Sequence, residues 1–470
     1  MIRAIRLETN ETISKLRLNQ FYAGEIVSPA SVKLNRLMSA KLQTHSALKP
    51  GTKVAVRILK IKLPDTVEAE IVDEPYIIED SWRFLVESAV LTALKPRMRK
   101  AASMIKDAVR EGNQIIVKHH ADCDGYVAAI ALERAILELV MPKHRNYWSF
   151  FKRNPCRSPV YEYIDAVKDV TGSYEAIIAG KPPLIIIVDN GSSEQDLFGI
   201  MKARLYGARI IVVDHHKPSM VNGKAVVAEH VDVFINPYVA GGDSNLTAGM
   251  LGVELSRFVH KGHGIEHLGA VSGVADRSQG AEFEKYIQLA KSASYDEKLL
   301  KSIAVCIDFE AFQLGYSTSK LIDDLLFNTQ DRENKLKIIE EHIRERETMV
   351  ISSVKSTDIT ELDKRVIVRF DTSVLKRATY PSQGKATGMV FTHFKGCYQK
   401  PVVVLGIGES SITFRTSLED FDLNQLIAEL CKELPDAGVE GGGHEVAGTL
   451  HFNRASKQAV LEYIGNYLRR

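Results

Sequence analysis

Short, β-branched apolar runs that end on acidic or histidine residues constrain this chain's fold more than any other feature. Leu184-Ile185-Ile186-Ile187-Val188 closes on Asp189, and Ile210-Ile211-Val212-Val213 closes on Asp214-His215-His216. A further run leads into His120-Ala121-Asp122-Cys123-Asp124-Gly125. Runs that are continuously apolar, rather than alternating, read as strands buried on both faces of a parallel sheet. In an open α/β sheet, ligands sit beyond the carboxyl ends of the strands. The three clusters are therefore expected to converge on one crevice. Asp276, in Gly273-Val274-Ala275-Asp276, should be brought in by the chain that follows.

The residue types suggest what the crevice holds. Carboxylates and imidazoles, without paired thiols, favour a hard divalent cation: manganese by preference, or magnesium. Several carboxylates in one crevice repel one another when bare. Two cations about 3.5–4 Å apart would neutralise them and could clamp an in-line phosphoryl displacement. One carboxylate must then bridge both ions, and Asp189, alone at its strand end, is the candidate. Taken singly, each Asp reads as the cap of a helix or turn. Taken together and in order, with Gly441-Gly442-Gly443-His444 far downstream, the clusters favour the metal reading.

The order His-x-Asp-x-Asp-Gly, lone Asp, Asp-His-His, late Asp and Gly-Gly-Gly-His-x-x-Ala-Gly resembles the DHH phosphoesterase superfamily. Within it, the chain is most similar to archaeal RecJ-like nucleases. The likeness runs from about Gln114 to the C-terminus, and Gly441 to Gly448 resembles the DHH-associated C-terminal domain. Between Glu282 and Asp363 the match is only in helical character. The resemblance implies a two-lobed α/β fold: a parallel-sheet DHH domain facing a smaller C-terminal α/β domain. It implies that His120, Asp122 and Asp189 hold one cation, and Asp124, Asp189, His215 and Asp276 the other. Asp122, Asp124, Asp189, His215 and His216 would be the catalytic set. His216 would contact the scissile phosphate, Asp214 would orient the histidines, and His119 would be structural. Arg415, Gly441, Gly442, Gly443 and His444 would bind substrate. The glycines would let backbone approach a phosphate closely, although a tight structural turn explains them too. Every metal position is filled, unlike in the catalytically silent scaffold relatives at replication forks.

The implied function is a metal-dependent phosphodiesterase. The leading expectation is a single-strand-specific exonuclease in DNA repair or replication, with 3′→5′ polarity preferred. The alternatives are a phosphodiesterase for short oligonucleotides or cyclic dinucleotides, and an accessory subunit of a helicase, replication or RNA-processing complex. The N-terminal extension resembles the layout of the nuclease that partners the Hef helicase, with a GINS-associated relative as the alternative.

A chain of 470 residues exceeds what one core normally supports. Residues 1–80 are expected to form a small OB-like β-barrel. Within them Lys53 to Ile61 and Thr66 to Val72 alternate across a turn at Leu63-Pro64-Asp65. Such a barrel could bind single strands or a protein partner. A helical connector follows over 81–112, read as a helix pair with Trp82, Leu85, Ala89 and Ala93 at helical spacing. The DHH domain is expected over 113–285, with a helix from Tyr126 to Leu139. A second helical connector occupies 286–360, and the C-terminal substrate-binding domain 361–470. Gly241 to Gly249 could cradle phosphate or simply cap a helix. Net charge is only +2, so local patches matter more. These are Lys95 to Lys100, and Lys143-His144-Arg145 with Lys152, Arg153 and Arg157. The second is interleaved with Tyr147, Trp148, Phe150 and Phe151, which suits single strands or a plugged core equally. No apolar stretch approaches the roughly 18–20 residues of a membrane span. The first eight residues lack a signal-peptide core. The five cysteines form no Cys-x-x-Cys pair, and Cys123 can pack as a small hydrophobe. A reducing, cytoplasmic setting is expected.

Overall fold

The computed structural model describes the chain apart from residues 1, 8–11, 63–65, 73–75, 81–83, 157, 261–263, 316–319, 328–329, 356–357, 376–379, 420, 445 and 470. The expected turn at Leu63-Pro64-Asp65, with Trp82 and Arg157, lies outside the described residues. The chain divides into two compact units, Met1–Thr92 and Ala93–Arg470.

The first unit contains β1 (Ile2–Arg6), β2 (Phe21–Ser28), β3 (Ser31–Lys33), β4 (Ser39–Leu42), β5 (Lys53–Lys62), β6 (Thr66–Val72) and β7 (Tyr76–Asp80). Five strands close on themselves in the order β2-β3-β4-β6-β5 and back to β2. β4 and β6 run parallel, and every other neighbour in the ring is antiparallel. This is the closed Greek-key barrel of an OB-fold. Val54, Val56 and Ile58 of β5 point inward with Val67 and Ala69 of β6. A register shift between Ile58 and Lys60 supplies the bend that closure needs.

One helix, α1 (Ala89–Glu111), stands where a helix pair was expected. Its buried stripe of Leu91, Leu94, Met98, Ala101 and Ile105 accounts for the periodicity. The basic run 95–100 therefore lies along a packed helix. Met98 is fully buried, and Lys100 Nζ donates to the Asp232 carbonyl at 2.7 Å.

The second unit opens as an α/β domain. Its elements are β8 (Ile115–His119), α2 (Cys123–Val140), β9 (Phe151–Pro155), α3 (Tyr163–Thr171), α4 (Tyr174–Ile178), β10 (Leu184–Val188), α5 (Leu197–Leu205) and β11 (Arg209–Val213). A hairpin follows, β12 (Met220–Val221) and β13 (Lys224–Ala225), then β14 (Val233–Ile235), α6 (Ala248–Val259) and α7 (Leu268–Ala275). Five strands form an all-parallel sheet in the order β14-β11-β10-β8-β9. Ile185, Ile186 and Ile187 are fully buried, each contributing about 1.5–3 kcal/mol of apolar burial. The order reverses between β8 and β10, where such sheets open a crevice. Register places the site there: His119 pairs with Val188, and Val188 with Val213. The next residues, His120, Asp189 and Asp214, therefore leave the sheet at one level.

Four helices follow: α8 (Ala281–Ser292), α9 (Glu297–Leu314), α10 (Leu321–Leu326) and α11 (Arg332–Ser352). The C-terminal lobe holds β15 (Ile359–Glu361), β16 (Val366–Asp371), α12 (Gln383–Cys397), β17 (Val402–Ile407), β18 (Ser411–Thr416), α13 (Leu423–Glu433), β19 (Glu440–His444), β20 (Ala447–His451) and α14 (Lys457–Tyr467). Its sheet order is β15-β16-β17-β18-β20-β19. Val366, Val368, Val402 and Val404 pack on Ala386 and Val390 of α12. The alternate residues Ile367, Val403 and Leu405 pack on α13 and α14 through Leu426, Leu430, Val460 and Ile464. No described helix is long and apolar enough to cross a membrane.

Candidate metal centre

Three strand ends and two helix ends build the centre. His120 leaves β8, and its Nδ1 lies 2.7 Å from Asp122 Oδ2 and 3.5 Å from Asp189 Oδ2. Asp122 caps α2, accepting the Gly125 N–H at 3.0 Å. The tight turn demands Gly125, since a Cβ there would strike the His120 carbonyl. Burial opposes charge on His120, but Asp122 and Asp189 outweigh it and hold the imidazole well above its ordinary range.

Asp189 follows β10 in the left-handed region, at φ 59°. Its carboxylate is buried, and neither oxygen receives a hydrogen bond from the described residues. Burial, and then Asp122, push its pKa up.

Asp124 is also fully buried. It accepts the Ala248 and Gly249 N–H groups at 2.9 and 2.8 Å, and the Ser272 hydroxyl. The amino-terminal end of α6 thus turns its first free N–H groups onto Asp124. Burial, then Asp189 and Asp276, drive the Asp124 carboxyl well above the carboxylate range.

His215 follows β11. Its Nδ1 faces the Ser244 carbonyl at 2.8 Å, which makes Nδ1 the protonated nitrogen and leaves Nε2 as the ligand atom. That Nε2 stands 3.2 Å from Asp276 Oδ2, 3.4 Å from Asp189 Oδ1 and 3.6 Å from Asp124 Oδ2. A lone pair aimed at three carboxylates is stable only with a proton or a cation between them. Without a cation the protonated form wins, and His215 is held well above its ordinary range, its carboxylate neighbours outweighing burial. Metal binding would displace that proton.

Asp214 is buried and accepts the His215 N–H, the His216 N–H and His216 Nδ1, the last at 2.8 Å. Against the cost of burial, His216 holds Asp214 down to about 2, and Asp214 holds His216 up to about 9. The His216 ring is half exposed, with Nδ1 3.8 Å from Asp189 Oδ1. His119 is buried edge-on against Tyr126, with its Nδ1 2.6 Å from the His120 carbonyl, and joins none of the ligand groups.

Ligand atoms thus gather as three overlapping groups: His120, Asp122 and Asp189; Asp124, His215 and Asp276; and Asp189, His215 and His216. Such a donor set, carboxylates with imidazoles, fits a hard divalent cation. Cys123 is buried inside the first turn of α2 and takes no place in the groups.

Two further residues meet the ligand loop. Asp308, on α9, accepts the Cys123 N–H at 3.0 Å. Its other oxygen accepts Lys385 Nζ, from the first turn of α12 in the C-terminal lobe, at 2.7 Å. The only hint in the sequence is an aspartate set among Cys306, Ile307 and Phe309 on a buried helix face.

The C-terminal residues fall into two sets. Arg415 pairs across β18 and β20 with Ala447, and Ala447 with His444 of β19, so the three form one row. Burial and the nearby Arg277 lower the Arg415 guanidinium's pKa. Among the described residues neither arginine has an ion-pair partner. Gly441 and Gly443 lie in a strand, not a turn, both at φ 150°. A Cβ at either would run into the β20 backbone, so packing alone demands them. A Cβ at Gly442 would meet only Asn424, at 3.7 Å. The basic-aromatic stretch divides likewise. Phe151 is buried, and Arg153 is buried against Glu133 and Asp323, while Trp148 remains 62% exposed.

Comparison with known proteins gives a consistent picture. Residues 114–256 match the DHH family, N-terminal domain. An uncharacterized protein of Methanocaldococcus jannaschii is 37% identical over 421 residues, covering 80% of this chain and 54% of that protein. The chain thus spans about half the length of that relative. A solved DHH domain, described as from a member of the S1p family of ribosomal proteins, is 37% identical with a TM-score of 0.77. That alignment covers 83% of this chain and 94% of the domain. RecJ from Thermus thermophilus, solved in complex with Mn2+, shares the fold at 16% identity and a TM-score of 0.52. It matches 79% of this chain and 54% of its own.

Proposed function

We propose that this chain, which belongs to the DHH family, is a two-metal phosphodiesterase that shortens single-stranded nucleic acid from one end. The observation that supports this most strongly is the shared position of Asp189. It stands with His120 and Asp122 on one side and with His215 on the other, its oxygens without hydrogen-bond donors among the described residues. His120, Asp122 and Asp189 would hold one divalent cation, and Asp124, Asp189, His215 and Asp276 the other, with manganese preferred. Bound there, such cations neutralise the crevice and polarise a phosphoryl group for in-line displacement.

The chain's own groups bind and orient. Ser244 fixes the His215 tautomer. Asp214 fixes His216 through Nδ1, and a proton on its Nε2 would donate to a phosphate oxygen. Asp308 pins the ligand loop at Cys123, and Lys385 ties the C-terminal lobe to the same point. Arg415 and Arg277, like-charged neighbours without ion-pair partners among the described residues, suit a phosphate between them. In the barrel, a cleft of about 530 Å³ is lined by Arg6, Lys33, Arg36 and Lys53, with Glu25 beside them. That lining suits the phosphates of a single strand.

The test is digestion of 5′- and 3′-labelled DNA and RNA strands of graded length with manganese, resolved by size. Stepwise shortening of single strands, with duplex spared, is the expected result. Cleavage confined to the shortest oligonucleotides would favour the short-substrate reading. No hydrolysis of any strand would refute both.

A further inference from the structure

Helix α5 is apolar on two opposite faces. Gly199, Ile200 and Ala203 are buried. Phe198, Met201 and Leu205, at positions i, i+3 and i+7, are 74%, 48% and 82% exposed. A surface helix normally carries one apolar face, turned to the core, and polar residues opposite. Beside it, Tyr163 at the start of α3 is 52% exposed. The Lys202 ammonium lies 5.2 Å from the Tyr163 ring and 5.1 Å from the Tyr206 ring, binding the two helices into one surface. The seating is firm, since a Cβ at Gly199 would strike the Tyr161 and Glu162 carbonyls that lead into α3. A contiguous exposed apolar group on a rigid plate marks an interaction site.

Charge indicates what covers it. Both helices return between parallel strands, so they run in the same direction. Glu162 and Glu194 lie at their amino-terminal ends, and Lys168, Lys202 and Arg204 in their carboxyl-terminal halves. Arg204 is engaged by Asp232 at 3.0 Å. Among the described residues, Glu194 and Lys202 have no oppositely charged partner. A surface acidic at one end, basic at the other and apolar between is complementary to itself after a half-turn.

We propose that α3 and α5 form a two-fold interface with a second copy of this chain. The two α5 helices lie antiparallel, Phe198 of each copy packs on Met201 of the other, and Glu194 reaches the Lys202 end of its counterpart. This interface is independent of the metal centre.

Sedimentation equilibrium of the full chain, without nucleic acid and across the micromolar range, should show a dimer. Phe198→Glu should raise the dissociation constant at least about 100-fold, as loss of a central anchor does, with an unchanged circular dichroism spectrum. Lys202→Glu should weaken the dimer by roughly tenfold, and adding Glu194→Lys should restore it. A monomeric parent chain, or a dimer indifferent to Phe198→Glu, would overturn the proposal. A double variant no tighter than Lys202→Glu alone would overturn the antiparallel arrangement.

Discussion

Asp189→Asn separates the metal reading from the capping reading by sign as well as size. Asp189 sits at φ 59°, a region asparagine tolerates, whereas alanine would add about 1–2 kcal/mol of left-handed strain. The amide keeps the side chain's shape and removes its charge. Activity with manganese should fall by about 10²–10³-fold, or roughly 2.7–4 kcal/mol at the barrier, as for loss of a main electrostatic stabiliser. Stability in EDTA should move the other way. Burial and Asp122 disfavour the charged form by more than His120 and His215 support it. The variant's urea midpoint should therefore equal or exceed that of the parent. Manganese at about 100 times its dissociation constant should stabilise the parent by about 2.7 kcal/mol for each site it fills, and the variant by much less. The assay pairs urea unfolding, with and without manganese, with hydrolysis of a labelled strand. Near-full activity would refute the bridging role. So would a loss of about 1 kcal/mol in EDTA, the signature of a lost cap, with the manganese response intact.

Asp308→Ala should lower turnover by roughly 10–100-fold, the usual effect of removing a group that orients metal ligands. Asp308→Asn, which still accepts the Cys123 N–H, should recover part of that loss, and equal turnover in the two variants would contradict the positioning role. His267 is buried against Tyr295 and bonded to the Leu326 carbonyl. Burial is the main cause holding it down to about 4, from an ordinary value of 6.5. Its stabilising effect is complete above pH 6.5 and is lost as pH falls toward 4, about 2 kcal/mol of it between pH 7 and pH 5. Urea unfolding of the parent and His267→Phe at both pH values checks this, and identical pH slopes would refute it.

The strand ends were legible because their chemistry is local. Residues 184–188 and 210–213 are continuous β-branched runs, and the parallel register that carries His120, Asp189 and Asp214 to one level follows from burial on both faces. The barrel strands β5 and β6 were legible from alternation in the same way. Asp308 was not, because its bond to Cys123 spans 185 residues and comes from a helical stretch with no motif. The glycines at 441–443 suit phosphate approach and close strand packing equally. Only the φ values and the β20 backbone show that packing demands two of them. The helix pair expected before Asn113 reduced to α1, since the apolar period holds only from Leu91 onward. Phe151 and Arg153 suited a single-strand surface and a plugged core equally, because local sequence cannot reveal that Glu133 and Asp323 enclose the arginine.

The central claim is that Asp189 joins two cation sites. Anomalous scattering from crystals of the full chain soaked in manganese tests it most directly. Two peaks about 3.5–4 Å apart, both within bonding distance of Asp189, with His120 at one and His215 at the other, are the predicted result. A single peak, or two peaks that do not share Asp189, would contradict it.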